Sequence, residues 1–136
     1  MHSLAGLRVG SAFVPGWLVP WYQRASTPFT VNSVSAAAAA AALPDKDHAQ
    51  RYVAQVKRWR KRFTTVVKYP VLPSDANFVM VDIAPRTSDE RVEVLVRHGV
   101  VVRSCRSFAG LPDHYIRVSI GEEWENERFV QVINGV

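Results

Sequence analysis

One cysteine among 136 residues excludes an internal disulfide, and with it the small secreted scaffolds that depend on such bridges. It also excludes a thiolate zinc site or an iron–sulfur cluster built by this chain alone. No run of about eighteen apolar residues occurs, the length a helix needs to cross a bilayer. The opening Met1–Gly10 has no basic segment followed by a long apolar core and does not read as a signal peptide. Apolar residues at 48% and aromatics at 10% are too frequent for a disordered tail. The expectation is a soluble, cytoplasmic protein of about one domain, with no membrane role.

Charge is unevenly placed. The formal balance is +5, yet the segment Lys46–Lys68 holds Lys46, Arg51, Lys57, Arg58, Arg60, Lys61, Arg62 and Lys68 against the single acid Asp47. Such a segment can touch nucleic acid or an anionic surface. It equally describes the solvated face of an amphipathic helix. No glycine-rich RNA loop or zinc-finger spacing accompanies it, so nucleic acid is not the expected partner.

Pattern divides the chain in two. Leu7–Val14 reads as a strand ended by Pro15-Gly16, and Trp17–Arg24 as a short helix that tolerates Pro20 only in its first turn. Asn32 or Ser33 can cap a helix through the seven alanines Ala36–Ala42. After Pro44, Asp45 or Asp47 opens a longer helix with the stripe Tyr52, Val53, Val56, Trp59, Phe63 and Val67, and with Arg51, Gln55, Arg58 and Arg62 opposite. Ala76–Ile83 alternates as a strand. Thr87-Ser88-Asp89-Glu90 matches a capping box for a helix burying Val92, Leu95 and Val96, closed by Gly99. Gly99–Arg103 and Tyr115–Ile120 read as strands, and a last helix from about Glu122 to Ile133 carries Trp124, Phe129, Val132 and Ile133. Residues 45–136 then make a two-layer α+β domain. Residues 1–44 hold one unpartnered strand and an alanine-rich helix, the end of something larger.

Candidate chemistry is sparse. His2, His48, His98 and His114 are scattered and form no metal-ligand pair; His98 suits a helix C-terminus. Cys105 is solitary beside Arg106, and Asp82 and Asp113 read as strand-end and turn residues. Three arginines stand apart from the basic helix. Arg8 follows Gly6 at the start of a strand, Arg103 ends one, and Arg117 lies inside the apolar Tyr115-Ile116-Arg117-Val118. A guanidinium buried in a strand needs a partner, and its fork fits carboxylate or phosphate oxygens. Anion recognition, a structural salt bridge and plain exposure all remain open for each.

Longer motifs add a resemblance. Ser3-Leu4-Ala5-Gly6-Leu7-Arg8-Val9-Gly10 is similar to the segment that follows the cofactor lysine in fold-type I aminotransferases that use pyridoxal phosphate. Pro28-Phe29-Thr30-Val31-Asn32-Ser33, Pro73-Ser74-Asp75-Ala76-Asn77-Phe78 and Val101-Val102-Arg103-Ser104-Cys105 continue in family order. Ser107-Phe108-Ala109-Gly110-Leu111, Tyr115-Ile116-Arg117-Val118-Ser119-Ile120-Gly121 and Glu125-Asn126-Glu127-Arg128 complete it. Together they resemble the histidinol-phosphate aminotransferase branch and its near relative, threonine-phosphate decarboxylase.

The resemblance implies an α+β two-layer small domain of a fold-type I pyridoxal-phosphate enzyme over residues 45–136. It would be preceded in residues 1–44 by the last strand and helices of a truncated α/β large domain. Arg8 would hold the cofactor phosphate, Arg117 the α-carboxylate of the amino-acid substrate, and Arg103 the substrate phosphate. The Schiff-base lysine of the family lies eight residues before the arginine matching Arg8, so it falls immediately before Met1, and no catalytic residue or metal is assigned within the chain. The implied activity is transfer of the amino group of histidinol phosphate to 2-oxoglutarate by a homodimer in histidine biosynthesis. This C-terminal fragment alone is expected to be inactive and to hold pyridoxal phosphate poorly. Threonine-phosphate decarboxylase, another aminotransferase of the superfamily and a non-catalytic folded fragment are the alternatives.

Overall fold

Alternation along Phe78–Asp82 decides which way the sheet faces. In the computed structural model, which describes residues 2 and 4–136, this strand buries Val79 and Val81 and leaves Phe78, Met80 and Asp82 half-covered, as a period of two requires. Met1, and Ser3 of the first quoted motif, lie outside the described residues. The elements run α1 (Val19–Ala25), α2 (Ser33–Ala42), α3 (Lys46–Val66), β1 (Phe78–Asp82), α4 (Ser88–Arg97), β2 (Arg103–Ser104), β3 (Tyr115–Ser119) and α5 (Glu123–Gly135), with 3-10 turns at Ala5–Leu7 and Gly16–Leu18. The chain divides into two compact units, Met1–Val53 and Ala54–Val136. The division falls inside α3.

The first unit is helical. Pro20 sits in the first turn of α1, where a missing N–H costs nothing. Asn32 caps α2, its side chain accepting from the Ser35 N–H at 2.8 Å. Ser35 is buried, and its hydroxyl donates to the Leu7 carbonyl at 2.6 Å, fixing the first turn to α2. The expected strand Leu7–Val14 does not form. A strand needs a neighbour to take its backbone groups, and every strand among the described residues lies beyond residue 77. Phe13, Trp17, Trp21, Tyr22 and Phe29 are exposed, so this unit has side chains for a core but does not bury them.

The second unit has the core. Its sheet runs β1-β3-β2, antiparallel throughout, with Val79 opposite Val118 and Val81 opposite Ile116. Those four side chains are buried with Ile83 and Ile120, together with Val56, Trp59, Phe63 and Val67 from α3 and its end and Phe129, Val132 and Ile133 from α5. Trp59, Phe63 and Phe129 meet in series, the first pair tilted and the second edge-to-face, with ring centroids 5.3 and 5.5 Å apart. Of the stripe read on α3, Val53 is exposed and Tyr52 only partly covered.

The basic face of α3 is open to solvent, with Arg51, Lys57, Arg58, Lys61 and Arg62 all exposed, and two of these arginines also meet acids of α5. Arg58 pairs with Glu123, and Arg62 reaches both Glu123 at 3.5 Å and Glu127 at 3.4 Å on α5. Two expectations change on the other helices. Val96 is exposed, because α4 turns Ser88, Arg91 and Leu95 inward instead. Trp124 is exposed because Asn126, Phe129 and Ile133 set the inner face of α5.

Candidate functional site

The route to Arg103 begins at the end of α4. Gly99, at φ +76°, takes the left-handed position that other residues avoid. Its N–H bonds the Val96 carbonyl at 2.9 Å while the Val100 N–H returns to Leu95 at 2.9 Å, closing the helix with both orphan carbonyls met. Val100 is buried, whereas Val101 is 84% exposed, so the chain runs outward before it joins the sheet. The strand expected over Gly99–Arg103 is therefore shorter and shifted, to Arg103–Ser104. β3 runs two residues past Arg117 to Ser119, so the outward turn at Val101, and not a lack of neighbouring strand, ends the ladder at Arg103.

In that short ladder Arg103 is paired with Arg117, and Met80 of β1 is paired with Arg117 from the other side. Paired residues share a face, so one row across the sheet reads Met80, Arg117, Arg103, opposite the valine core. The Arg117 guanidinium lies 5.0 Å from the Phe78 ring and that of Arg103 lies 5.5 Å from the Phe108 ring. Neither arginine makes an ion pair among the described residues, and the buried Nε of Arg117 has no hydrogen-bond partner. Both line a cavity of about 560 Å³ whose walls also carry Trp124, Glu125 and Arg128. Two arginines at paired positions, neither in an ion pair among the described residues, make a positive site open to an anion, with Glu125 the acid in the cavity wall.

Beside Arg103 lies a polar cluster that sequence reading missed. The Ser104 hydroxyl donates to Asp89 Oδ1 at 2.7 Å and meets the buried Ser88 hydroxyl at 2.8 Å. Arg106 Nη1 donates to the other Asp89 oxygen at 2.7 Å. Hydrogen bonds from Arg106 and then Ser104 hold the Asp89 carboxyl below the ordinary aspartate range. Cys105, next in sequence, is buried; desolvation pushes its thiol upward, against the opposing influence of Arg117 and Arg103. It is a core residue. Asp82 ends β1, and its carboxylate accepts from the Ala84 N–H at 3.0 Å.

Arg8 belongs to the other unit. It ends the first 3-10 turn at φ 53°, its N–H bonding the Ala5 carbonyl at 3.2 Å, and its side chain is exposed without an ion pair among the described residues. Arg103 and Arg117 are thus brought together by the sheet. Arg91 is a further surprise: its side chain is buried and, among the described residues, bonds the Tyr69 hydroxyl and lies over the Tyr69 ring, with its Nε unpartnered. No helix of the described residues is long and apolar enough to cross a membrane.

Residues 1–133 match the sequence profile of "Aminotransferase class I and II". The chain belongs to that family. A histidinol-phosphate aminotransferase of Methanosphaerula palustris is 58% identical over 137 aligned positions, covering 100% of this chain and 39% of the relative. The crystal structure of the histidinol-phosphate aminotransferase from Clostridium acetobutylicum superposes with a TM-score of 0.77 at 25% identity, covering 88% of this chain and 37% of that one. That of the Sinorhizobium meliloti enzyme, in complex with pyridoxal-5'-phosphate, gives 0.71 at 26%, covering 85% and 32%. This class I and II aminotransferase chain therefore spans 39% of the length of the Methanosphaerula palustris relative it matches. Its helices and three-stranded sheet are part of the fold-type I architecture.

Proposed function

We propose that this chain supplies the substrate-binding arginines of a pyridoxal-phosphate-dependent histidinol-phosphate:2-oxoglutarate aminotransferase. The observation that carries the reading is the direct pairing of Arg103 with Arg117, two cations with no ion pair of their own among the described residues. Like charges at directly paired positions destabilise a sheet, and anionic groups on both substrates offset that cost. Arg103 takes the phosphate of histidinol phosphate. Arg117 takes the α-carboxylate of glutamate, a group histidinol phosphate lacks, so the two half-reactions use the pair differently.

Arg8 suits the phosphate of the cofactor, because its guanidinium is exposed and not committed to a carboxylate among the described residues. Bound pyridoxal phosphate supplies the electron sink that makes removal of the substrate's α-proton feasible. The amine that moves the proton has no counterpart here. All the lysines of the chain lie between Lys46 and Lys68, and Lys68 Nζ is occupied by the Asn134 and Val136 carbonyls at 2.9 and 3.2 Å. What these 136 residues do is grip and orient the anionic ends of both substrates. A cytoplasmic homodimer completed by the rest of the enzyme belongs to the same proposal.

A chimera tests it: the Methanosphaerula palustris relative with its matching 39% replaced by this chain. The expected result is conversion of histidinol phosphate and 2-oxoglutarate to the phosphorylated keto product and glutamate. Failure of that reaction in a chimera that carries the pyridoxal absorption band overturns the proposal. Release of carbon dioxide from threonine phosphate, without transamination, points to the decarboxylase instead.

A further inference from the structure

We infer that Ser104 and Asp89 are positioning residues that hold Arg103 in place against Arg117 and so set the preference for a phosphorylated substrate. The inference rests on Arg103 being the group that meets the substrate phosphate. It begins with a weak element. β2 has two residues, and the residues before it turn outward, with Val101 84% exposed. The ladder position that Arg103 occupies is opposed by the charge of Arg117. A strand this short, carrying that repulsion, does not hold a long side chain's backbone still without an additional tether.

The tether is the neighbouring hydroxyl. Ser104 Oγ donates to Asp89 Oδ1 at 2.7 Å, meets Ser88 Oγ at 2.8 Å and accepts the Arg106 N–H at 3.3 Å. One side chain thereby ties β2 to the first turn of α4 and to the loop that follows. The far end of the tether is itself fixed. Thr87 and Glu90 close a reciprocal capping box around the start of α4. Ser88 is fully buried, with its N–H on the Asp113 carbonyl at 2.6 Å. Asp89 is committed on both oxygens, to Ser104 and to Arg106 at 2.7 Å, which leaves Arg103 its full positive charge. The arrangement therefore fixes where Arg103 stands without neutralising it, which is what recognition of a phosphate dianion requires.

The measurement is the ratio of kcat/KM for histidinol phosphate to that for histidinol, in the chimera. Overall loss of folded enzyme cancels in this ratio, whereas misplacement of Arg103 does not. Ser104→Ala is expected to lower it on the order of 10- to 100-fold, the scale of a misplaced binding group, while Ser104→Thr, which keeps the hydroxyl, preserves it. In an Arg103→Ala background, Ser104→Ala is expected to add nothing, because the two act as one unit. If Ser104→Ala does not fold, Asp89→Ala, at an exposed side chain, carries the same test. A ratio that stays at the parent value in Ser104→Ala or Asp89→Ala, while Arg103→Ala lowers it, overturns the positioning role alone. Multiplying effects in the double variant overturn it as well. An Arg103→Ala variant with an unchanged ratio overturns both this role and the reading of Arg103 beneath it.

Discussion

The side chain of Asn126 closes on both backbone polar groups of Gly121. Its Oδ1 accepts the Gly121 N–H at 3.0 Å, and its Nδ2 donates to the Gly121 carbonyl at 2.8 Å, which Gln55 also reaches at 2.7 Å. A Cβ at position 121 would collide with the Glu125 Oε2 that accepts the Glu122 N–H. This clamp turns the chain from β3, which carries Arg117, into α5.

Asn126 is buried, so Asn126→Ala leaves the Gly121 N–H without its partner and is expected to cost about 2–3 kcal/mol. Gln55→Ala, at a half-buried side chain whose acceptor keeps Asn126, is expected to cost about 1 kcal/mol or less. Denaturant midpoints of the two variants check the order. Equal losses would show that Asn126 is not the main clamp.

What was legible in the sequence had a local cause. The Thr87–Glu90 box, the Asn32 cap, Gly99 and the Val56–Trp59–Phe63 stripe depend on neighbours within a turn or two, and all stand where their spacing puts them. Arg103 and Arg117 could be singled out as guanidiniums in or beside apolar strands. Their opposition could not, because it follows from β3 lying between β1 and β2, an order no local pattern encodes. Ser104 and Asp89, fifteen positions apart, meet only once α4 and β2 pack. Leu7–Val14 failed for the converse reason: its residues suit a strand, but every strand among the described residues lies in the other unit.

Glu123 couples acidity to stability. Its carboxylate accepts the Trp59 indole N–H at 2.8 Å and pairs with Arg58 and Arg62. The indole bond first, then the arginines, holds its carboxyl below the ordinary glutamate value, about 4.3. The unfolded chain therefore takes up the proton first as pH falls. The stabilisation is complete above the ordinary value and is lost as pH drops through the lowered one. Glu123→Gln is expected to flatten the stability profile in that acid window. An unchanged profile between the variant and the parent would show that the Trp59 contact carries no protonation-linked stability.

Cys105 is expected to resist thiol reagents. It is 1% exposed, and burial raises its thiol above the ordinary value, so both access and thiolate fraction are low. A disulfide reagent at neutral pH is expected to label it slowly in the folded chain and completely in denaturant, with a rate that follows opening of the sheet. Rapid stoichiometric labelling of the folded chain would contradict this burial.

Arg103 and Arg117 repel each other when no anion is present, and that repulsion is measurable in the 136-residue chain itself. Arg103→Met keeps an apolar stem over the Phe108 ring while removing the charge. In chloride the variant is expected to be more stable than the parent, by about 0.2–1 kcal/mol. Inorganic phosphate at matched ionic strength is expected to reverse the order, since an anion that binds only the folded pair stabilises in proportion to its occupancy. Thermal midpoints in the two salts give both comparisons. Matching ionic strength removes simple screening as the cause. A phosphate-induced rise of the same size in parent and variant would mean that Arg103 does not meet the anion, and the cationic row across the sheet would then have to be explained by Arg117 alone.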